Sequence, residues 1–375
     1  MVENKRAVIA SGGTGGHFYP GFALAEELRA RGWQTLFLVK KEDIARPALE
    51  DADFPYAELD MVSLPRTFNP LSHLAFWFKF FASLRLASRV MKDFRPDAVV
   101  GTGSYVAFPA ILAARLAGVP VYIHESNAKF GLGNYLAGFF CRRAALGLPV
   151  PGNPFPTRSV LAGTPIRGGF AALPGKAAAR RALGLQEDKF TVLAFGGSQG
   201  ARRLNAAFVS ALKTLKGDVQ SLHIAGRKNF GEVKAAYAAA GLEGAPGLAL
   251  FDYREDMPLL YAAADLVISR SGASTVAELA QLKKPSILVP LPSSAGDHQR
   301  FNALALAGHG AALCLEEGHD FDARLAAALR DLAGEPEKAA AMADGFVKAA
   351  IPDGLGAAAA LAGLLEADLP AERRA

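Results

Sequence analysis

The sequence predicts an α/β protein built from two Rossmann-like halves, each a parallel sheet flanked by helices. A strand, glycine loop and helix opening occurs twice, as VIASGGTGG at 8–16 and VLAFGGSQG at 192–200. Short apolar runs then alternate with helical patterns in each half, the spacing of parallel β-α-β units. Between the halves, Gly147–Ala172 is dense in glycine and proline, as an interdomain connection should be. At 375 residues each half has enough chain for its own core.

Composition narrows the class. Hydrophobic residues make up 51% and charged residues 21%, which argues against extensive disorder. Cys141 and Cys314 are the only cysteines, too few for a disulfide framework and outside any metal motif. A reducing, cytoplasmic setting is therefore expected. The opening MVENKRAVIASGG enters a strand with no apolar leader, and no apolar run approaches the ~20 residues of a membrane span. The net charge of +5 and pI near 9.1 suit an anionic partner without naming one.

In chain order, Arg6–Ser11 reads as a strand, Gly12–Gly16 as a loop, and Pro20–Arg31 as a helix with proline in its first turn and Gly32 at its end. Gln34–Val39 is a second strand. Leu71–Phe94 is a helix of another kind, placing Trp77 and five phenylalanines among Lys79, Arg85, Arg89 and Lys92. It has too many apolar residues for one buried stripe. It reads either as a core helix with a solvated basic edge or as a surface that dips into an anionic membrane. Strands follow at Ala98–Gly101 and Val121–Glu125, with helices at Pro109–Ala117 and Leu132–Phe140. In the second half, strands are expected at Phe190–Phe195, Ser221–Ala225, Gly247–Phe251, Asp265–Ser269, Pro285–Val289 and Ala311–Leu315, with a helix over Ala201–Leu215.

The richest stretch is Ala264–Asn302. A buried strand, a small-residue turn and a helix start at Ser274 follow one another, and a helix start offers unpaired N–H groups and the positive end of its dipole. Ser271, Gly272, Ala273 and Ser274 could therefore hold a diphosphate. A second reading stands beside it: Thr275-Val-Ala-Glu278 fits a capping box, in which Glu278 turns back to the helix's own amide. The loop after Val289 brings Asp297 and Gln299 to the strand-end edge, where open sheets bind ligands. No G-x-x-x-x-G-K-[ST] is present, and Gly12–His17 lacks the G-x-G-x-x-G spacing while the second strand ends on Val39-Lys40-Lys41 rather than an acid. NTPase and nicotinamide chemistry are both disfavoured. His17 directly follows the first loop. Most lone histidines are structural, but an imidazole titrates near neutrality and could take a proton from a sugar hydroxyl.

Taken together, GGTGGHFYPG (12–21), GTGSYVAFP (101–109), HESNAKFGLGN (124–134), GTPIR (163–167), GGSQGARRLN (196–205), the Ser269–Glu278 loop and DHQRFNA (297–303) resemble the MurG family. These are the bacterial UDP-N-acetylglucosamine:lipid I N-acetylglucosaminyltransferases, which make lipid II for peptidoglycan. The likeness runs in order along nearly the whole chain. It implies the glycosyltransferase B fold, two Rossmann-like domains facing across a cleft. The expected limits are 1–163 for an acceptor- and membrane-facing domain and 164–350 for a UDP-GlcNAc domain, with 351–375 a helix packing back on the first. Carried over by motif, Thr14, Gly15 and Gly16 line the sugar site, and Asn127, Arg167 and Ser198 contact the donor. Arg254 contacts uracil through its backbone. Ala273, Ser274, Thr275, Val276, Ala277 and Glu278 hold the diphosphate and ribose, and Gln299 reads GlcNAc hydroxyls. His17 is the candidate base for the muramyl C4 hydroxyl, with Tyr105, Glu125 and Asn134 on the acceptor side. The family inverts configuration, so one direct displacement suffices.

The resemblance also implies a polyprenyl-pyrophosphate-linked muramyl-peptide acceptor met at an anionic membrane surface, peripherally, on the cytoplasmic face of the plasma membrane. No cofactor, metal or nucleic acid is expected. Four positions depart from the family pattern: Ser126 in place of glutamine, Thr164 in place of asparagine, Ser104 in place of a loop glycine, and Arg254 in place of an apolar residue. Ser104 matters most, because a residue with Cβ resists positive φ. Competing functions are another UDP-sugar enzyme of the same fold, such as a glycolipid transferase or UDP-GlcNAc epimerase, and a non-catalytic nucleotide-sugar sensor or membrane scaffold.

Overall fold

The computed structural model describes residues 5–62, 64–65, 69–197, 200–215 and 217–369. The chain divides into two compact units, Met1–Arg167 with Pro352–Ala375, and Gly168–Ile351. The crossing therefore falls at Arg167, inside the glycine- and proline-rich stretch, and the chain returns to the first unit at Pro352.

In the first unit, β1 (Arg6–Ala10), β2 (Gln34–Lys40), β3 (Tyr56–Leu59), β4 (Ala98–Gly101), β5 (Val121–Glu125), β6 (Arg143–Leu146) and β7 (Ser159–Leu161) form one sheet in the order β3-β2-β1-β4-β5-β6-β7. Every pairing is parallel. Ala7 and Ile9 of β1 pack into one core while Val8 and Ala10 enter another, as the two-residue period of a strand requires when both faces are covered. The first core is closed by α1 (Gly15–Ala30) and α14 (Ala357–Ala367), through Phe18, Leu24, Leu28, Leu361 and Leu365. α3 (Pro70–Phe94), α4 (Ala107–Leu116) and α5 (Leu132–Gly138) close the second. Arg31 and Trp33 both bond to Glu366, and Tyr122 and Arg142 to Asp368, so α14 is tied down by polar contacts as well as by its leucines.

The second unit repeats the plan. α6 (Lys176–Ala182) leads into β8 (Thr191–Phe195), α7 (Arg202–Leu215), β9 (Gln220–Ile224), α8 (Phe230–Ala239), β10 (Leu248–Phe251), α9 (Met257–Ala263), β11 (Leu266–Ser269), α10 (Ala273–Leu282), β12 (Ser286–Leu288), α11 (His298–Ala307) and β13 (Ala312–Cys314). The parallel sheet runs β10-β9-β8-β11-β12-β13, and α12 (Phe321–Gly334) and α13 (Pro336–Ala349) complete the unit. Cys141 and Cys314 are free.

Three expectations need correction. α1 begins at Gly15, not near Pro20, so the later glycines of the first loop are the helix's first turn. Pro20 then sits inside the helix, where its missing amide leaves the carbonyl of Gly16 without that partner, and Gly16 is exposed to water. The reading passed over α2 (Arg46–Asp51), β3, β6 and β7, all of which are short. β7 lies within the stretch expected to be pure connection.

α3 has a buried apolar stripe and an exposed apolar face. Phe76, Phe80, Ser83, Ala87 and Met91 form its buried stripe, while Leu71, Leu74, Trp77, Phe78 and Phe81 are exposed, Phe78 by 75%. No helix among the described residues is long and apolar enough to cross a membrane.

Candidate active site

Both sheets reverse strand order between adjacent strands, β1 and β4 in the first unit and β8 and β11 in the second. Ligands bind open parallel sheets beyond the strand ends at such points. Each of the four loops that leave these strands carries glycine, which lets a backbone approach a ligand closely.

In the first unit the loop after β1 takes positive φ at Gly12 and Gly13. Its shape is held by Asp43, whose Oδ2 accepts from the Gly13 amide at 2.6 Å while Oδ1 accepts from Ala45 N at 3.0 Å. A Cβ at Gly12 would lie 2.6 Å from Asp43 Oδ2, so a larger residue there would push aside the carboxylate that shapes the loop. Thr14 is the extended N-cap of α1, and its carbonyl accepts from the amides of His17 and Phe18. Thr14 and Gly16 are exposed and Gly15 half-buried, all at the strand-end edge. His17 follows, its Nδ1 3.1 Å from the carbonyl oxygen of Thr102.

Glu125 is buried at the end of β5. Its Oε1 accepts from the backbone and side-chain nitrogens of Asn127 at 3.0 and 2.9 Å, and its Oε2 from Gly131 N and Asn134 Nδ2, both at 3.0 Å. Four N–H donors fill what a carboxylate can accept. Glu125 thereby fixes the 125–134 loop and through it Asn127 and Asn134. Asn134 also donates to the carbonyl of His124 at 3.0 Å, and its own buried Oδ1 has no partner among the described residues. Tyr105 is half-buried beside the apolar cluster under α3 and α4. His124 is wholly buried, with Nε2 donating to the carbonyl of Gly163 at 3.0 Å, and burial lowers its pKa. Its Nδ1 then accepts from the Ser126 hydroxyl at 3.3 Å, which gives that departure a role. Ser104 does adopt positive φ, +68°, and is strained accordingly. Arg167 is exposed as the last residue of the first unit.

In the second unit α10 starts at Ala273 after an extended Gly272, with no side-chain cap. Its first-turn amides are thus not taken by a capping side chain, the arrangement that suits an anion. The capping-box reading fails here. Thr275 and Glu278 are the third and sixth residues of the helix, too far along for Glu278 to return to the cap, and Glu278 Oε2 instead accepts from the hydroxyl of buried Tyr261 at 3.0 Å. Val276 and Ala277 are buried, so their side chains serve the core and only their main chain is left for a ligand, whereas Ser274 and Thr275 are half-buried. Ser271 Oγ donates to the carbonyl of Gln299 at 2.7 Å, and Asn302 Nδ2 donates to the carbonyl of Ser271 at 3.1 Å, which locks the turn to α11. Gln299 Oε1 accepts from Leu291 N at 2.9 Å, orienting its NH2 as the donor.

Arg254 folds back on its own loop. Its guanidinium pairs with Asp256 and lies 4.7 Å over the Phe251 ring, leaving the main chain as the contact it could offer. Ser198 lies outside the described residues. Sequence reasoning missed Asp43 and Tyr261, which act on the glycine loop and on Glu278 from 30 and 17 residues away. No local pattern marks either one. Among the described residues no group of His, Cys, Asp or Glu is arranged to hold a metal ion.

Comparison with known proteins identifies the family and supports the fold. Residues 7–146 match the glycosyltransferase family 28 N-terminal domain and residues 191–355 the family 28 C-terminal domain. A protein of Elusimicrobium minutum is 38% identical over 96% of this chain and 99% of its own length. One from Halorhodospira halophila is 39% identical over 93% and 95%. Both are named UDP-N-acetylglucosamine--N-acetylmuramyl-(pentapeptide) pyrophosphoryl-undecaprenol N-acetylglucosamine transferase. The crystal structure of Acinetobacter baumannii MurG superposes with a TM-score of 0.79 at 30% identity, covering 97% of this chain and 99% of that one. A UDP-N-acetylglucosamine 2-epimerase, at 15% identity and TM-score 0.64, shares the fold alone.

Proposed function

The chain belongs to glycosyltransferase family 28, and on that footing we propose that it moves N-acetylglucosamine from UDP-GlcNAc to the C4 hydroxyl of the muramyl unit of an undecaprenyl-pyrophosphoryl pentapeptide acceptor, lipid I, giving lipid II. Its two parallel-sheet α/β domains have the glycosyltransferase B fold. The observation that carries the reading is the end-to-end similarity, 38% over 96% of the chain, to a transferase of that name. The geometry supports the following division of labour.

The second unit holds the donor. The first-turn amides and dipole of α10 receive the diphosphate, Glu278 accepts from the ribose hydroxyls, Gln299 donates to the GlcNAc hydroxyls, and the main chain at Arg254 meets uracil. Arg167, Asn127 and Ser198 are further donor contacts. The first unit serves the acceptor through Tyr105 and Asn134, with Thr14, Gly15 and Gly16 beside the sugar. In the reaction the C4 oxygen attacks the anomeric carbon while His17 takes its proton, the bond from that carbon to the β-phosphate oxygen breaks, and the electron pair leaves on UDP. One displacement inverts the centre. Catalysis then consists of placement and of stabilising the departing diphosphate.

The acceptor's polyprenyl chain requires a membrane surface, and the exposed row Leu71, Leu74, Trp77, Phe78 and Phe81 on α3 fits it, with Arg85, Arg89 and Lys92 further along the same helix to meet anionic headgroups. The protein then works as a peripheral enzyme on the cytoplasmic face of the plasma membrane. The test is to mix it with UDP-GlcNAc and a lipid I analogue in anionic vesicles. A β-1,4-linked disaccharide product is expected. Release of UDP and a rearranged sugar without acceptor would instead make it an epimerase, and binding without turnover a sensor. Polar substitution of Trp77, Phe78 and Phe81 should abolish vesicle binding while leaving the fold intact.

A further inference from the structure

If His17 is the base, something must hold its ring in one place and one tautomer. The ends of β1 and β4 do this. Ala10 and Gly101 are register partners, so Ser11 and Thr102 stand side by side one residue beyond the sheet, and the Thr102 amide donates to the carbonyl of Ala10 at 3.1 Å. Both side chains are buried. Thr102 Oγ1 donates to the main-chain carbonyl of His17 at 2.7 Å, Ser11 Oγ donates to the same oxygen at 2.9 Å, and the two hydroxyl oxygens are 3.0 Å apart. The carbonyl of Thr102 lies 3.1 Å from His17 Nδ1. Thr102 thus grips the histidine twice, at its backbone and at its ring. Gly103, at positive φ, completes the seat, since a Cβ there would lie 2.7 Å from Nδ1.

A carbonyl oxygen can only accept, so Nδ1 carries the proton of the neutral ring and Nε2 carries the lone pair. We infer that Thr102 and Ser11 are positioning residues for His17, fixing Nε2 as the atom that takes the acceptor's proton. The inference rests on the proposed role of His17 and goes beyond it by naming the atom and what holds it. One other group bears on the ring: His124 on β5, which acts on it electrostatically. Glu125 is taken up by its four donors.

The test uses the full chain. Selective 15N-histidine labelling, with the His17 resonances assigned by comparison with His17→Gln, reads the tautomer directly at neutral pH. A protonated Nδ1 and bare Nε2 are expected. In steady-state assays with UDP-GlcNAc and a lipid I analogue, Thr102→Val should lower kcat by roughly ten- to a hundredfold, the scale set by a small misplacement of a reacting group, and leave KM for UDP-GlcNAc within about twofold. Thr102→Ser, which keeps the hydroxyl, should recover most of the loss, and Ser11→Ala should show a smaller loss of the same kind. A protonated Nε2, a folded Thr102→Val with wild-type kcat, or equal losses in Thr102→Val and Thr102→Ser would each overturn the inference. Wild-type turnover in His17→Ala would instead overturn the assignment of the base itself. The NMR measurement stands even if Thr102→Val does not fold.

Discussion

The two units open with nearly the same spelling, GGTGG and GGSQG after a strand, yet the two loops are held in different ways. In the first, the glycines wrap around a carboxylate from elsewhere in the unit: Asp43 takes the Gly13 amide, and the space a Cβ would need at Gly12 is filled by Asp43 Oδ2. In the second, the backbone packs on its own surroundings. A Cβ at Gly196 would meet Ala201 N at 2.4 Å, and one at Gly200 would meet Asn229 Nδ2 at 2.3 Å and the carbonyl of Ala225 at 2.6 Å. The uncapped helix start suited to a diphosphate comes later, at α10. The histidines divide similarly. His17 is half-buried at the strand-end edge, whereas His223 is wholly buried between Asn205 and Tyr237. A shared motif therefore states that a turn is needed and leaves its use to what surrounds it.

The largest effect expected from this contrast concerns His223, whose pKa burial pushes down to about 3. The folded state stays unprotonated there while the unfolded chain binds a proton below about 6.5, so this contribution to stability is fully present above about pH 6.5 and is lost as pH falls toward 3. The slope is at most about 1.4 kcal/mol per pH unit. His223→Gln should flatten the acid limb of the second unit's unfolding curve, followed by denaturant titration at several pH values, and an unchanged limb would show that the residue is not buried neutral.

Next comes the pair of glycines. Gly200→Ala meets a backbone carbonyl at positive φ and should cost about 3 kcal/mol, combining left-handed strain with overpacking. Gly12→Ala is also strained at its positive φ but meets a side-chain oxygen that can swing away rather than a backbone carbonyl, so its loss of stability should be smaller and its loss of turnover larger. Thermal unfolding and transferase assays of both variants check this, and equal losses would erase the distinction between the loops. The smallest effect is a gain: Ser104→Gly relieves the residue at φ +68° and should stabilise the first unit by about 1 kcal/mol or less, read as a raised unfolding midpoint.

The sequence by itself determined the doubled plan, most of the strands and helices in their order, and the excess of apolar residues on α3. These depend on backbone periodicity and on neighbours three or four positions away, which any stretch of chain displays. Only the tertiary structure decided that Glu278 answers to Tyr261 rather than to its own helix, that Glu125 is spent on Asn127, Gly131 and Asn134, and that Ser11 and Thr102, 91 residues apart, close on His17. β3, β6 and β7 escaped although strands as short were read elsewhere, because YAEL, RAAL and SVL lie in no longer apolar run and become strands through the neighbours they pair with. Which groups meet across a parallel sheet follows from strand order, and strand order is fixed by burying both faces at once, a condition no local stretch of sequence records.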